Sequence, residues 1–206
     1  MAFQTVVRRF VLAAVLILFG CATGPQQYLK SGFIPPKILA VLPLNNHTTD
    51  LDGPQAVRFW MDYRLKEKKG YYTLSLEQID KALMDIGITD GGQLASVTPQ
   101  ALGQKLGADA ILYGELLEFD YQTTGFLNIR KVRARFKMVD AQTGETLWEG
   151  EGLGANSEGA VSVSGAVRAG IKQIGTQLAE RALNSPLRTE IWDMIWNAVE
   201  YLPKAR

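Results

Sequence analysis

Residues 38–44 read ILAVLPL, a near-continuous apolar run of strand length. It lacks the apolar–polar alternation of a half-wet strand, which predicts a strand buried on both faces. A polar loop, NNHTTDLDG, follows it at 45–53. Pro54 then stands just inside a helix start after Asp52. Val57, Trp60, Met61 and Leu65 recur at i, i+3, i+4 and i+8 and share one face until Gly70 ends the helix. Tyr71–Leu74 reads as a short second strand. Strand, helix, strand in that order predicts a right-handed parallel crossover, the opening unit of an α/β sheet.

Downstream the helical signals continue for about thirty residues and then give way to strands. Ser75-Leu76-Glu77-Gln78 has the spacing of a capping box, and Ile79, Ala82, Leu83 and Ile86 form the apolar stripe behind it, stopped at Gly87. Thr98-Pro99 opens a shorter helix with Leu102 and Leu106 inward and Gly107 as its stop. From Ala110 come AILYGELLEFDY, FLNIRKVRARFKMV and ETLWEGEGLG. In the middle segment Val132, Ala134, Phe136 and Met138 alternate with Lys131, Arg133, Arg135 and Lys137, the period of two of a strand with one wet face. The turn DAQTGE makes a hairpin with the third segment, and any register that keeps the faces places Glu149 and Glu151 among the basic residues. The basic stripe is therefore expected to be a self-compensated sheet face rather than a docking patch for an anion. Together these elements predict an α/β fold, a mixed β-sheet with a parallel βαβ start and an antiparallel meander after it.

The C-terminal part, from about 160 to 206, reads as helical. Val167, Ile171, Ile174 and Leu178 mark one amphipathic helix, broken at Pro186, and Ile191, Trp192, Met194, Ile195 and Val199 mark a last one. Trp196 makes that last helix apolar on more than one side. It is expected to pack in a core groove, with Trp192, Ile195 and Trp196 as candidate partner-binding residues, self-association included.

The N-terminus carries a different signal. Arg8 and Arg9 precede an apolar core from Phe10 to Phe19, which ends at Gly20 and the single cysteine, Cys21. Ten apolar residues are half of what a bilayer-spanning helix needs, about twenty, so the layout is that of an export signal. An isolated Arg pair is a weak twin-arginine signal, and general secretion is the expected route. Leu18-Phe19-Gly20-Cys21 resembles the lipobox of bacterial lipoproteins. The resemblance implies a diacylglycerol on the Cys21 sulfur, cleavage before Cys21 and a further acyl chain on the new amine. Two or more chains make such an anchor effectively permanent, each buried methylene contributing about 0.8 kcal/mol. Ala22 takes the place of the aspartate that favours inner-membrane retention in such lipoproteins, which by resemblance points to the periplasmic face of the outer membrane. The expected organisation is a signal peptide over 1–20, a flexible tether over 21–37 rich in Gly and Pro, and one α/β domain over 38–206. Losing residues 1–20, with Arg8 and Arg9, leaves 20 basic against 21 acidic side chains, a balance that calls for no nucleic-acid partner.

Chemistry-bearing patterns are sparse. His47 is the only histidine, so a multi-histidine metal site is excluded. It lies at the end of the first strand, where α/β folds often bind ligands, and with Asp50 and Asp52 it could orient Thr48 or Thr49 as a nucleophile. No nucleophile elbow or HExxH motif accompanies it, and a turn-rich surface loop is the expectation. Glu149 and Glu151 are paired carboxylates beside basic partners, and Gly150, Gly152 and Gly154 resemble a phosphate cradle without the capped helix one needs. No catalytic residue, metal, cofactor or small-molecule substrate is assigned.

The stretches ILAVLPLNN, LGADAILYGEL and VDAQTGETLWEG resemble those of a family of bacterial lipoproteins of unknown function from Gram-negative envelopes. More distantly the chain is similar to the curli export channel protein and to the amino-terminal domain of the Tol system protein TolB, and the resemblance covers most of residues 38–183. The resemblance implies a mixed sheet covered by helices and a non-catalytic role as adaptor or structural subunit of an envelope transport or assembly complex. A subunit of a curli-type secretion channel is the alternative, and a periplasmic hydrolase a weaker one. Charged residues near both arms of the YQTTGF hairpin, Glu118, Asp120, Arg130 and Lys131, argue against membrane-spanning strands.

Overall fold

The computed structural model describes residues 27–124, 127–155 and 184–205, and the elements below are numbered within them. Six strands form one mixed sheet in the order β1-β6-β5-β4-β2, with β3 also on β4. β1 is Gln27–Leu29, β2 Leu39–Val41 and β3 Asn45–Asn46. β4 is Ala110–Thr124, β5 Leu127–Asp140 and β6 Thr146–Ala155. β2 and β3 run parallel to β4 (Leu39 against Ala110, Asn45 against Glu115), whereas β4, β5 and β6 form an antiparallel meander.

The apolar run at 38–44 is buried on both faces, and alternation assigns its residues to two cores. Leu39 and Val41 join Val132, Ala134, Phe136 and Met138 on one face, under helices α1 (Gly53–Lys69) and α4 (Arg188–Ala198). Ala40 and Leu42 join Ile111 on the other, under α2 (Leu76–Met84), the 3-10 turn Gly91–Ser96 and α3 (Pro99–Leu106). That second layer covers the β2–β4 part of the sheet and leaves the basic stripe of β5 in the open. Helix α1 ends as expected, with Gly70 in the left-handed region at φ 74° and its N–H on the Leu65 carbonyl. Thr98 caps α3 by accepting from the Ala101 amide.

Several local expectations are corrected. The tether does not run free to residue 37: Gln27–Leu29 adds an edge strand to β6, with Gln27 opposite Gly150 and Leu29 opposite Trp148. Three residues, Gln-Tyr-Leu, are too few to show a period, and they need only a partner edge to form a ladder. Tyr71–Leu74 contributes a single parallel bridge, Leu39 to Thr73, not a full strand. Ser75 adopts the extended N-cap backbone but its side chain caps nothing, and the capping box forms instead at Asp90 and Gln93. Ile86 is exposed, since α2 stops at Met84 and the chain turns through Gly87 to bury Ile88 in its place. The amphipathic segment expected at 167–178 lies outside the described residues, as does Cys21.

Gly150, Gly152 and Gly154 face α4. A methyl group on Gly152 would stand 1.9 Å from the Met194 carbonyl oxygen, one on Gly154 1.9 Å from that of Glu190, and one on Gly150 2.4 Å from that of Ala198. The glycines recur every two residues on the strand and the carbonyls every four on the helix. Two strand residues rise about 6.6 Å and four helical ones about 6 Å, so the two repeats stay in step. A sequence feature that superficially suggests a phosphate cradle is therefore the seat of the last helix.

Candidate functional site

Two regions combine exposure with unusual chemistry. The first is a cleft of about 340 Å³ at the ends of the parallel strands, where Leu44, Asn46, Pro54, Arg58, Asp80 and Asp90 converge. Arg58 is buried on α1, its Nε donating to the Val41 carbonyl at 3.0 Å and its Nη1 to Asp80 at 2.5 Å. Burial pulls the Arg58 guanidinium below its ordinary pKa, and Asp80 works against that shift. The loop carrying His47 borders this cleft, and its polar side chains bond to one another and to the loop backbone. Asn45 Nδ2 lies 3.1 Å from His47 Nε2, and the Thr48 hydroxyl donates to Asn46 Oδ1 at 2.8 Å. Asp50 Oδ1 accepts from the amides of Asp52 (3.0 Å) and Gly53 (2.6 Å) at the entry of α1. The grouping a hydrolase would need, a threonine hydroxyl presented to His47, is not how these hydroxyl and ring groups are partnered. Among the described residues no three His, Cys, Asp or Glu side chains stand where they could hold a metal.

The second region is the outer surface of α4. Ile195 is wholly buried, so of the three candidate partner-binding residues it is excluded from surface contact: it belongs to the core that α4 makes with the sheet. Trp192 is half-buried and meets Trp60 edge-on at 5.5 Å. Trp196 is 50% exposed. Arg64 of α1 lies over the Trp196 ring at 3.9 Å and over Trp192 at 5.4 Å, a stacked cation–π arrangement. Burial lowers the Arg64 pKa as well. Arg58 and Arg64 were not singled out in the sequence. The signal was available: Arg64 stands four residues after Trp60, so a charged residue falls on the apolar face of α1.

The open face of the sheet is a ladder of opposite charges. Arg135 donates to Glu151 at 3.1 Å, Lys137 lies 3.3 Å from Glu149, and Glu118 pairs with both Lys131 and Arg133. The register Arg135–Glu151 and Lys137–Glu149 is the expected face-preserving one. Arg130, near the hairpin tip, clamps Glu190 of α4 through Nε (2.6 Å) and Nη2 (3.0 Å).

Comparison with known proteins follows this fold closely. The family model described as "Putative lipoprotein GNA1162-like" matches residues 28–190, from β1 into α4. The chain belongs to this family. It is 28% identical over 176 residues to a Neisseria meningitidis serogroup B (strain ATCC BAA-335 / MC58) protein described as "Putative lipoprotein NMB1124/NMB1162", covering 82% of this chain and 81% of that one. The crystal structure of lipoprotein GNA1162 from Neisseria meningitidis superposes with a TM-score of 0.56 at 25% identity, covering 70% of this chain and 99% of that one. A PelC dodecamer from Paraburkholderia phytofirmans shares the fold, with a TM-score of 0.54 at 12% identity over 87% of this chain and 98% of that one. No helix among the described residues of this GNA1162-like protein is long and apolar enough to cross a membrane.

Proposed function

We propose that this protein is a lipid-anchored, non-catalytic lipoprotein of the bacterial envelope, held through Cys21 at the periplasmic face of the outer membrane, and that it acts as an adaptor or structural subunit of a transport or assembly complex. The observation that carries this is the start of the fold. β1 begins six residues after Cys21, so an acylated cysteine would hold the sheet beside the bilayer while its open face, the charge ladder of β4–β6, remains free for another protein. The side chains of Asn45, Asn46, His47, Thr48 and Asp50 in the His47 loop are spent on backbone and on one another, which favours binding over turnover.

The test is photocrosslinking in intact cells with a photoreactive residue at Lys137, which is exposed on the ladder face. A crosslinked envelope protein identified by mass spectrometry is expected, and repeated absence of any protein adduct at this and neighbouring ladder positions would count against an adaptor. Loss of turnover of an ester, peptide or glycan in His47→Ala would move the hydrolase to first place.

A second reading is a ring-forming subunit, favoured by the fold shared with the PelC dodecamer from Paraburkholderia phytofirmans. Light scattering of the purified lipoprotein separates it from a monomeric adaptor. A curli-type channel is the less favoured form of that reading. β4 and β5 have 15 and 14 residues, long enough to span, but Glu118, Asp120, Arg130 and Lys131 sit along them and Arg130 ties the hairpin to α4.

A further inference from the structure

We infer that the domain does not hang from its anchor but lies on the bilayer, with the end of α4 around Trp196 seated in the headgroup layer. This rests on the proposed acylation of Cys21.

The first argument is the length of chain between the anchor and the fold. Five residues separate Cys21 from Gln27, and six steps of extended chain reach at most about 20 Å in any conformation. A domain of this length is roughly 40 Å across, so its far side is out of reach of the membrane and the region around Gln27 must be near it. The second argument is what surrounds Gln27. β1 is antiparallel to β6 and starts at Gly150–Glu151, with the Gln27 amide on the Glu151 carbonyl at 3.3 Å. Gly150 lies directly beneath the Ala198 carbonyl. The chain entry, the glycine seat and the C-terminal end of α4 are thus stacked at one edge of the molecule. Tyr28, Leu29, Trp196 and Tyr201, all exposed, belong to these same elements or directly follow them.

Trp and Tyr are the residues that partition to the membrane–water interface, with an apolar body and a polar tip. Arg64 supports the ring from below. It is buried, at 7% exposed, with its guanidinium 3.9 Å from the Trp196 centroid, and so holds the indole outward at this edge.

The experiment uses the full lipoprotein, purified in detergent and reconstituted into vesicles of phosphatidylethanolamine and phosphatidylglycerol carrying brominated acyl chains. Trp60 and Trp148 are buried and Trp192 half-buried, so Trp196 is the tryptophan that bromine can approach. Tryptophan emission is expected to be quenched, and Trp196→Phe to abolish most of that quenching while leaving attachment intact. Amides of 192–201 are expected to gain hydrogen-exchange protection on vesicles relative to detergent. Acylated Cys21 with no quenching, or with quenching unchanged in Trp196→Phe, overturns this inference and leaves the anchor standing. Protection that appears equally in detergent and grows with protein concentration assigns the surface to a second copy and overturns it as well. A bare Cys21 in the mass spectrum overturns both.

Discussion

Gly152→Ala is expected to destabilise the protein severely, against the usual sign of such a change. Alanine is normally the better strand residue, because glycine loses more backbone entropy on folding, by about 0.5–1 kcal/mol. Gly152 is not among the described glycines in the left-handed region, so alanine meets no backbone strain there. The added methyl would instead stand 1.9 Å from the Met194 carbonyl oxygen and 2.9 Å from the Ala198 nitrogen, both backbone atoms of α4. Restoring van der Waals contact requires the helix to retreat by about 1.5 Å. Ile191, Met194, Ile195 and Val199 are each fully buried beneath it. Their burial contributes about 6–12 kcal/mol in all, at about 1.5–3 kcal/mol each. A radial gap of 0.5–1 Å already forfeits a quarter to a half of the contact energy, so the expected loss is about 2–5 kcal/mol. That is a large share of a typical stability of about 5–15 kcal/mol. Urea unfolding followed by tryptophan emission and circular dichroism measures it, with Gly87→Ala as control. Gly87 has no atom within 4 Å of an added methyl but sits at φ +80°, so alanine there costs only backbone strain, about 1–2 kcal/mol. A Gly152→Ala midpoint shifted no further than that of Gly87→Ala would refute the glycine seat.

Cys21→Ser is expected to abolish incorporation of radiolabelled fatty acid and release the protein from the membrane fraction, and wild-type labelling of the mutant would refute acylation at this residue. Asp140 accepts from the amides of Thr143 and Gln142 and from the Thr143 hydroxyl in the β5–β6 turn, and these bonds, with Lys30 nearby, hold its carboxyl below the ordinary aspartate pKa. Its folded-state value is depressed, so its contribution is complete above the unfolded-state value and is lost as pH falls through the folded one; Asp140→Ala should cost about 0.5–1.5 kcal/mol at neutral pH, the net worth of a hydrogen bond screened by solvent, and flatten acid unfolding in that window. Lys69 donates to the Leu202 and Glu200 carbonyls at 2.6 and 3.2 Å, while its own carbonyl accepts from Ala205. Lys69→Met is expected to cost about 1–3 kcal/mol and to raise hydrogen exchange at 199–205, as read by mass spectrometry.

The doubly buried apolar run at 38–44, the stop at Gly70, the Thr98 cap and the alternation along 131–138 were legible because each is local: a period, a cap or a turn needs only neighbours in the chain. Even the pairing of Glu149 and Glu151 with the basic stripe follows from one hairpin turn and a period of two. The edge strand at 27–29 was not legible, since its ladder partner lies more than a hundred residues away and its own residues show no pattern. The same holds for Arg58, which takes its place only when Val41 and Asp80 are brought around it, and for Ile195, which the sequence marks as apolar without saying which side of a helix greasy all round meets the sheet. Gly150, Gly152 and Gly154 show the division most plainly. Their spacing was visible as a motif, but its meaning depended on a helix forty residues later whose carbonyls repeat at the same rise, and only the folded chain brings two such repeats into register.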